Sequence, residues 1–269
     1  MLREKFKIFC IGMVITLLIN SCQKVTDFYL GIPLQPKFTS DNYHEGMNIF
    51  GILRPDSTGN YNKSFVYIET VQKATEFTSF TRLDSVDVVV IRLDTLQGTD
   101  SVKFKLYDPG FTFHDSLYRA EIPFRPKPGE RYRIVCKYKD LPDATGKTII
   151  PYAPLIEEGS LSIAGYQVKF NIVANSSIKM IDIYLDYNGQ RHFINRYIPS
   201  DNQNTVVNFN SGLDLTGYKL IIYGYDANMA AYYSNSNTSL NFNKYRTTYS
   251  TLESGFGVFG SVNFTEIVL

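Results

Sequence analysis

Few residues in this 269-residue chain are of types that do covalent chemistry. There are three cysteines, Cys10, Cys22 and Cys136, and three histidines, His44, His114 and His192. The histidines sit in separate segments with no partner at metal-ligand spacing, so no metal site is expected. Asp182 with Asp186, and Asp140 with Asp143, offer oxygens to calcium, but no EF-hand loop surrounds them and a solvent-facing strand or turn accounts for them. No G-x-S-x-G nucleophile elbow occurs, and no acid pair is singled out for glycoside hydrolysis. Gly255-Phe256-Gly257-Val258-Phe259-Gly260 spells G-x-G-x-x-G. A dinucleotide fingerprint needs a helix opening at its third glycine and an acid about 20 residues on. Here the chain continues as an alternating strand, so the run reads as a glycine bend with two aromatics packed beside it. No catalytic residue and no cofactor is expected. Tyr223, Tyr225, Tyr232 and Tyr233, with Asn228, Asn235 and Asn237, form a tyrosine- and amide-rich patch. Aromatic faces with planar amides suit a glycan or peptide ligand, and a helix-capped core edge would use the same residues.

Cys22 has a different chemistry. Arg3, Lys5 and Lys7 precede a 12-residue apolar run, Ile8 to Ile19, and Ser21 stands directly before the cysteine. A membrane-spanning helix needs roughly 20 apolar residues, so the run reads as a secretory signal peptide over 1–21. Its ending resembles the lipobox of bacterial lipoproteins, with an aliphatic residue three before the cysteine and a small one directly before it. In that reading the Cys22 sulfur takes a diacylglycerol before cleavage, and the freed amine is acylated, for example with palmitate. One acyl chain holds a protein only marginally, whereas two or three hold it firmly. Residues 22–40, with Gly31, Pro33 and Pro36, read as an extended tether. Gln23 is not the aspartate that retains some lipoproteins at the inner membrane, so the outer membrane is favoured, on either its periplasmic or its cell-surface face.

Removing the signal leaves 24 basic against 25 acidic residues, with no run of like charge. Nucleic-acid binding and polybasic membrane docking are disfavoured on that balance. With Cys10 removed and Cys22 acylated, Cys136 is the only thiol, so no intrachain disulfide is available. Twenty tyrosines and 19 phenylalanines without a tryptophan favour an all-β extracytoplasmic protein.

Strand signals recur along the chain. They cover Met47 to Leu53, Ser64 to Thr70 with Val66 and Ile68 as its core pair, Val86 to Leu93, and Val102 to Leu106. Gln97-Gly98-Thr99-Asp100 reads as a hairpin between the last two. After a Pro126-Lys127-Pro128-Gly129 turn, Tyr132, Ile134, Cys136 and Tyr138 alternate with charged residues, which points Cys136 inward. Leu141 to Glu158, with Pro142, Gly146, Pro151 and Pro154, reads as a strand end and a domain junction. Strands follow at Tyr166 to Ile172, Ile181 to Tyr187, Phe193 to Ile198, Tyr218 to Tyr225 and Val258 to Val268. Asn188-Gly189 is a strong hairpin signal, Asp226 suits the cap of a short helix through Tyr233, and Ser234 to Asn243 reads as a loop.

The order of these segments resembles a known family. The lipobox cysteine is followed by the Asn48-Ile49-Phe50-Gly51-Ile52-Leu53 strand, the Pro-Gly-Glu-x-Tyr-x-Ile turn at Pro128 to Ile134, a proline-rich junction, the aromatic segment Tyr223 to Tyr233, and the late glycine run. Together they look like the Bacteroidota outer-membrane lipoproteins catalogued as domain of unknown function 4249. Ser254 stands where that family has its first glycine, and Phe256 where it has leucine. The resemblance implies an outer-membrane, two-part β protein linked with TonB-dependent transporters, and no catalytic residue. The expected architecture is an immunoglobulin- or transthyretin-like β-sandwich over 41–154 and a second β domain with one short helix over 155–269. The expected function is that of a non-enzymatic accessory or ligand-binding lipoprotein, with adhesion or an envelope-structural role as the alternative and hydrolysis as a third, disfavoured one.

Overall fold

The computed structural model describes residues 45–55, 57–58, 61–71, 82–93, 100–107, 117–235 and 250–269. The signal segment, Cys22, the tether, His44, His114, Asn237 and most of the expected Gln97–Asp100 hairpin lie outside them. The described chain is all-β with one short helix, as composition and alternation predict. Its strands are β1 (Met47–Leu53), β2 (Ser57–Thr58), β3 (Tyr61–Asn62), β4 (Phe65–Thr70), β5 (Asp87–Arg92), β6 (Asp100–Tyr107), β7 (Leu117–Ala120), β8 (Arg131–Lys137) and β9 (Ala144–Ile149). They continue with β10 (Ser162–Ala164), β11 (Gln167–Ile172), β12 (Met180–Tyr187), β13 (Gln190–Tyr197), β14 (Thr205–Asn210), β15 (Lys219–Tyr225), β16 (Leu252–Glu253) and β17 (Phe256–Val268). The helix, α1, spans Ala227–Asn235.

The first core lies inside one sheet that folds over on itself. The strand order β17-β1-β4-β7-β6-β5-β8-β9-β16 runs through it. Ile49 and Leu53 of β1, Val66 and Ile68 of β4, and Phe259 of β17 meet Val88 and Val90 of β5, Ile134 and Cys136 of β8, and Ala144 of β9 in a single cluster. The two layers of this sheet therefore face each other across apolar side chains, as period-two alternation requires. Burial pushes the Cys136 thiol well above its usual range, the state of a packed core residue.

The second core forms between a three-stranded sheet, β10-β11-β14, and the far end of the large sheet, β13-β12-β15-β17. Val168, Phe170 and Val207 pack there against Ile181, Ile183, Leu185 and Ile222. Asn188 and Gly189 take positive φ (51° and 85°) in the β12–β13 hairpin, the geometry expected of that dipeptide.

β17 belongs to both units. Its first half pairs in parallel with β1, Asn48 opposite Phe256 through Leu53 opposite Ser261. Its second half pairs antiparallel with β15, from Tyr225 opposite Val262 to Lys219 opposite Val268. Residues 250–261, which follow the second unit in sequence, thus pack in the first core through Leu252 and Phe259.

Leu141 to Glu158 holds more regular structure than its prolines suggest, because it contains β9. The inward positions of β9 are Ala144, Gly146 and Thr148. A Cβ on Gly146 would lie 2.6 Å from the Leu252 side chain and 3.1 Å from that of Phe259. Only small residues fit under those neighbours, so the strand lacks the large apolar alternation that marks strands in sequence. β14 lacks a clear strand pattern for a related reason: Val206 points outward, 59% exposed, and blurs the alternation carried by the fully buried Val207.

Beyond β9 the prolines cannot extend a ladder. Alternate side chains of β17 hold this segment instead. Ser261 Oγ donates to the Ile149 carbonyl at 2.7 Å, Asn263 Nδ2 to that of Pro151 at 3.0 Å, and Thr265 Oγ1 to that of Pro154. Buried carbonyls left unpaired cost about 1–3 kcal/mol each. Asn263→Leu keeps the volume and removes one donor. It is expected to lower the free energy of unfolding by about that amount, read as a lower urea midpoint at unchanged slope. An unchanged midpoint would show that Pro151 does not depend on this contact.

Candidate functional site

Where β17 passes from β1 to β15, six strands and α1 leave a cleft of about 220 Å³ on the outer face of the sheet. Tyr223 and Tyr225 enter it from β15 and Tyr184 from β12, because these positions alternate with inward-facing Ile183, Leu185 and Ile222. Tyr233 comes from the last turn of α1, Phe65 from β4 and Val262 from β17. Two arginines complete the lining, Arg54 just after β1 and Arg191 at the start of β13.

The rings form a connected run. Tyr184 meets Tyr223 edge-on at 5.6 Å, Tyr223 lies 6.3 Å from Tyr225, and Tyr225 meets Tyr233 edge-on at 6.0 Å. Both guanidinium groups lie over Tyr223, Arg54 at 5.7 Å and Arg191 at 6.0 Å from the ring centre. Such contacts contribute about 0.5–2 kcal/mol each, more as water is excluded. Two Asp–Arg pairs bracket the run. Asp186 accepts from Arg191 Nε at 3.1 Å, and Arg191 also donates to the Tyr223 hydroxyl at 2.6 Å. Buried Asp182 accepts two bonds of 2.7 Å from Arg196, whose guanidinium sits 4.7 Å from the Tyr233 ring centre. Asp182 and Asp186, one of the two pairs raised as calcium ligands, are therefore engaged by arginine, and Asp143 of the other pair by Lys137.

The electrostatics of the cleft suit binding. Burial, with the nearby negative charge of Asp182, pushes the Tyr184 phenol up to about 12 and holds that of Tyr225 well above its usual value. Both stay neutral near pH 7 and serve as hydrogen-bonding groups, whereas a general base needs a pKa near the working pH. Among the described residues no group of three or more His, Cys, Asp or Glu converges. The arrangement offers aromatic faces to a planar group or sugar ring and two guanidinium groups to an anionic one.

Of the seven residues of the patch, the four tyrosines and Asn228 separate here. Tyr223, Tyr225 and Tyr233 line the cleft. Tyr232 does not line the cleft: it meets Tyr233 edge-on at 5.8 Å and packs on Phe50, ring centres 5.9 Å apart, in the core under α1. Asn228 is a structural bridge: its Nδ2 donates to the carbonyls of Lys147 on β9 (2.6 Å) and Phe259 on β17 (2.8 Å), adjacent strands with no ladder between them. No local signal marks Arg54, Arg191 or Tyr184 as lining residues, since each lies in a different segment beside ordinary strand residues. Asn188-Gly189 was the one local hint, because that turn brings Arg191 back opposite Asp186.

Asp226 caps α1 as expected. Its Oδ1 accepts from Met229 N at 2.9 Å, and its Oδ2 from the Thr148 hydroxyl at 2.5 Å. Thr148 also lies 3.0 Å from the Ser261 hydroxyl, so helix, β9 and β17 meet at one buried polar point. The glycine run serves the same meeting. A Cβ on Gly260 would lie 2.5 Å from Met229 Cγ, so glycine lets α1 sit directly on β17. Gly257 lies against β1, and no helix opens at Gly260. Among the described residues no helix is long and apolar enough to cross a membrane.

The chain matches no protein-family model, and no curated protein matches it.

Proposed function

We propose that this protein is a non-enzymatic ligand-binding lipoprotein, held at the outer membrane by acyl chains on Cys22 and working beside a TonB-dependent uptake system. The observation that carries the binding reading is the cleft, where Arg54 and Arg191 flank Tyr223 at the point shared by both units. Its chemistry fits a glycan or peptide fragment bearing a carboxylate: rings stack on the apolar face, and a guanidinium pairs with the acid. The neutral phenols and arginine-engaged aspartates favour holding a ligand over turning one over. The lipid anchor and the transporter rest on the sequence alone.

The test is thermal melting of the mature chain carrying Cys22→Ala against acidic oligosaccharides and acidic peptides. A ligand at ten times its Kd stabilises by about 1.4 kcal/mol, which raises Tm by roughly 3–6 °C at this size. Arg54→Ala and Arg191→Gln are each expected to abolish the shift. A ligand whose shift survives both substitutions binds elsewhere and would overturn the assignment of the cleft. For the anchor, full-length protein is expected to bring a transporter down from detergent-solubilised membranes, and Cys22→Ala to lose both the membrane fraction and the transporter.

A further inference from the structure

The charges of β5 to β9 are scattered in sequence and gathered by register. Lys105 stands directly opposite Arg119 across β6 and β7. Arg133 stands directly opposite Lys147 across β8 and β9. Lys103 lies on β6 opposite Val89, two positions from Lys105, and Arg131 two positions from Arg133, so all six cations share the outer face. Five adjacent strands make this face about 19 Å wide. Like charges directly opposed in an antiparallel pair are destabilising, and this face holds two such pairs.

Among the described residues compensation is partial, and Arg131 is itself engaged. Glu121 pairs with Lys105, Asp87 lies 3.6 Å from Lys103, and Asp143 pairs with the neighbouring Lys137. Glu253 stands at the β16 margin, bonded to Thr145. Among the described residues neither Arg133 nor Lys147 has a carboxylate partner, and the Nε atoms of Arg119 and Arg133 are buried with no acceptor. Aliphatic side chains lie between the cations: Val89, Ile91 and Val135 are half-buried, and Ile149 is 50% exposed. Cations interleaved with aliphatics suit a lipid interface, whereas single-stranded nucleic acid wants a row of aromatic faces. Tyr107, at the margin, is covered by Arg119 at 6.0 Å.

We infer that this face docks on the anionic phosphate headgroups of the membrane that carries the protein; the choice of a membrane rests on the reading of Cys22 as a lipid anchor. β5 and β8 form the layer opposite β1 and β4 across the first core. Seating the basic face on lipid therefore turns the tyrosine–arginine cleft away from the bilayer, toward ligand and partner. The chain as a whole is nearly neutral, so the proposed attraction to anionic lipid comes from the arrangement of this face and not from net charge.

The experiment is co-sedimentation of the mature Cys22→Ala chain with vesicles of equal phosphatidylglycerol and phosphatidylcholine, and with phosphatidylcholine alone. Without acyl chains the measurement reads the face by itself, so a failure of lipidation in cells leaves it untouched. Binding to the anionic vesicles alone is expected, with loss at about 0.5 M salt, where screening is strong. Lys147→Gln, an exposed change, is expected to lower the partition coefficient about fivefold, and Arg133→Gln with Lys147→Gln about 30-fold. Lys169→Gln on β11 is the control, expected to change nothing. Equal binding to both vesicle types, or a double variant that binds like the parent, would overturn the proposal. Binding to soluble heparin with none to vesicles would overturn it too, and would make the partner an acidic polymer.

Discussion

Gly257→Ala is expected to destabilise the protein by more than about 4 kcal/mol, the range reserved for severe single substitutions. Two effects add at this position. The backbone sits at φ +94°, where an L side chain costs about 1–2 kcal/mol. The larger effect is contact: a Cβ would lie 2.1 Å from the Ile49 carbonyl oxygen and 2.9 Å from Asn48 Oδ1. Ile49 is the register partner of Gly257 in the parallel β1–β17 pair, so the obstructing atom is backbone and only separation of the strands relieves it. Gly159→Ala separates the two effects. Gly159 also has positive φ, +73°, but nothing lies within 4 Å of its Cβ position. It is expected to cost about 1 kcal/mol, the conformational part alone. The measurement is urea unfolding of both variants of the mature chain. Equal losses would mean that β1 and β17 do not approach as described, and the link between the two units would have to be redrawn.

The second prediction concerns pH. Burial raises the Asp226 carboxyl from 3.8 to about 6, against the pull of its hydrogen bonds from Thr148 and the first turn of α1. A raised folded pKa favours the protonated form in the folded state. The stabilisation is complete below about 4, where both states carry the proton, and is lost as pH rises through about 6. The total is about 3 kcal/mol, at 1.36 kcal/mol per unit. Asp226→Asn keeps a good helix cap and cannot ionise. The difference in unfolding free energy between variant and parent is therefore expected to grow in the variant's favour from pH 4 to pH 7, by up to about 3 kcal/mol. Taking this difference cancels the opposite slopes of the other carboxylates, such as Glu130, whose pKa is lowered by Tyr132, Lys127 and Arg92. A difference that stays flat over that range would show that Asp226 is ionised throughout. Asp226→Ala removes cap and acceptor together and is expected to cost about 1–3 kcal/mol at pH 7.

What was legible in sequence was local. Alternation of apolar with polar residues placed β4, β6, β8, β11 and β12, because period two is a property of neighbouring residues on one strand. It also picked Val66 and Ile68 as a core pair and turned Cys136 inward. Asn188-Gly189 and Asp226 announced a hairpin and a helix cap through conformations and hydrogen bonds that span three or four residues. The all-β class with one short helix follows from these signals alone. β9 failed the same test because its inward residues must be small to fit beneath Leu252 and Phe259, and that requirement comes from the other end of the chain.

Pairing partners were decided by tertiary structure. Nothing near Asn48 or Phe256 in sequence says that they lie side by side, yet that parallel pair closes the first unit and joins it to the second. The tyrosine patch illustrates the division. Its composition was visible, but the path of α1 sends Tyr233 to the cleft and Tyr232 to the core, and strand register brings Arg54 and Arg191 over Tyr223. The same holds for Arg133 and Lys147, ordinary solvent-side residues in their own strands that become a like-charge pair only across a ladder. Most strands, and the apolar face of each, follow from side-chain types a few residues apart. Which faces meet, and so where a ligand or a membrane can be met, depended on contacts between distant segments, and only the folded chain decides those.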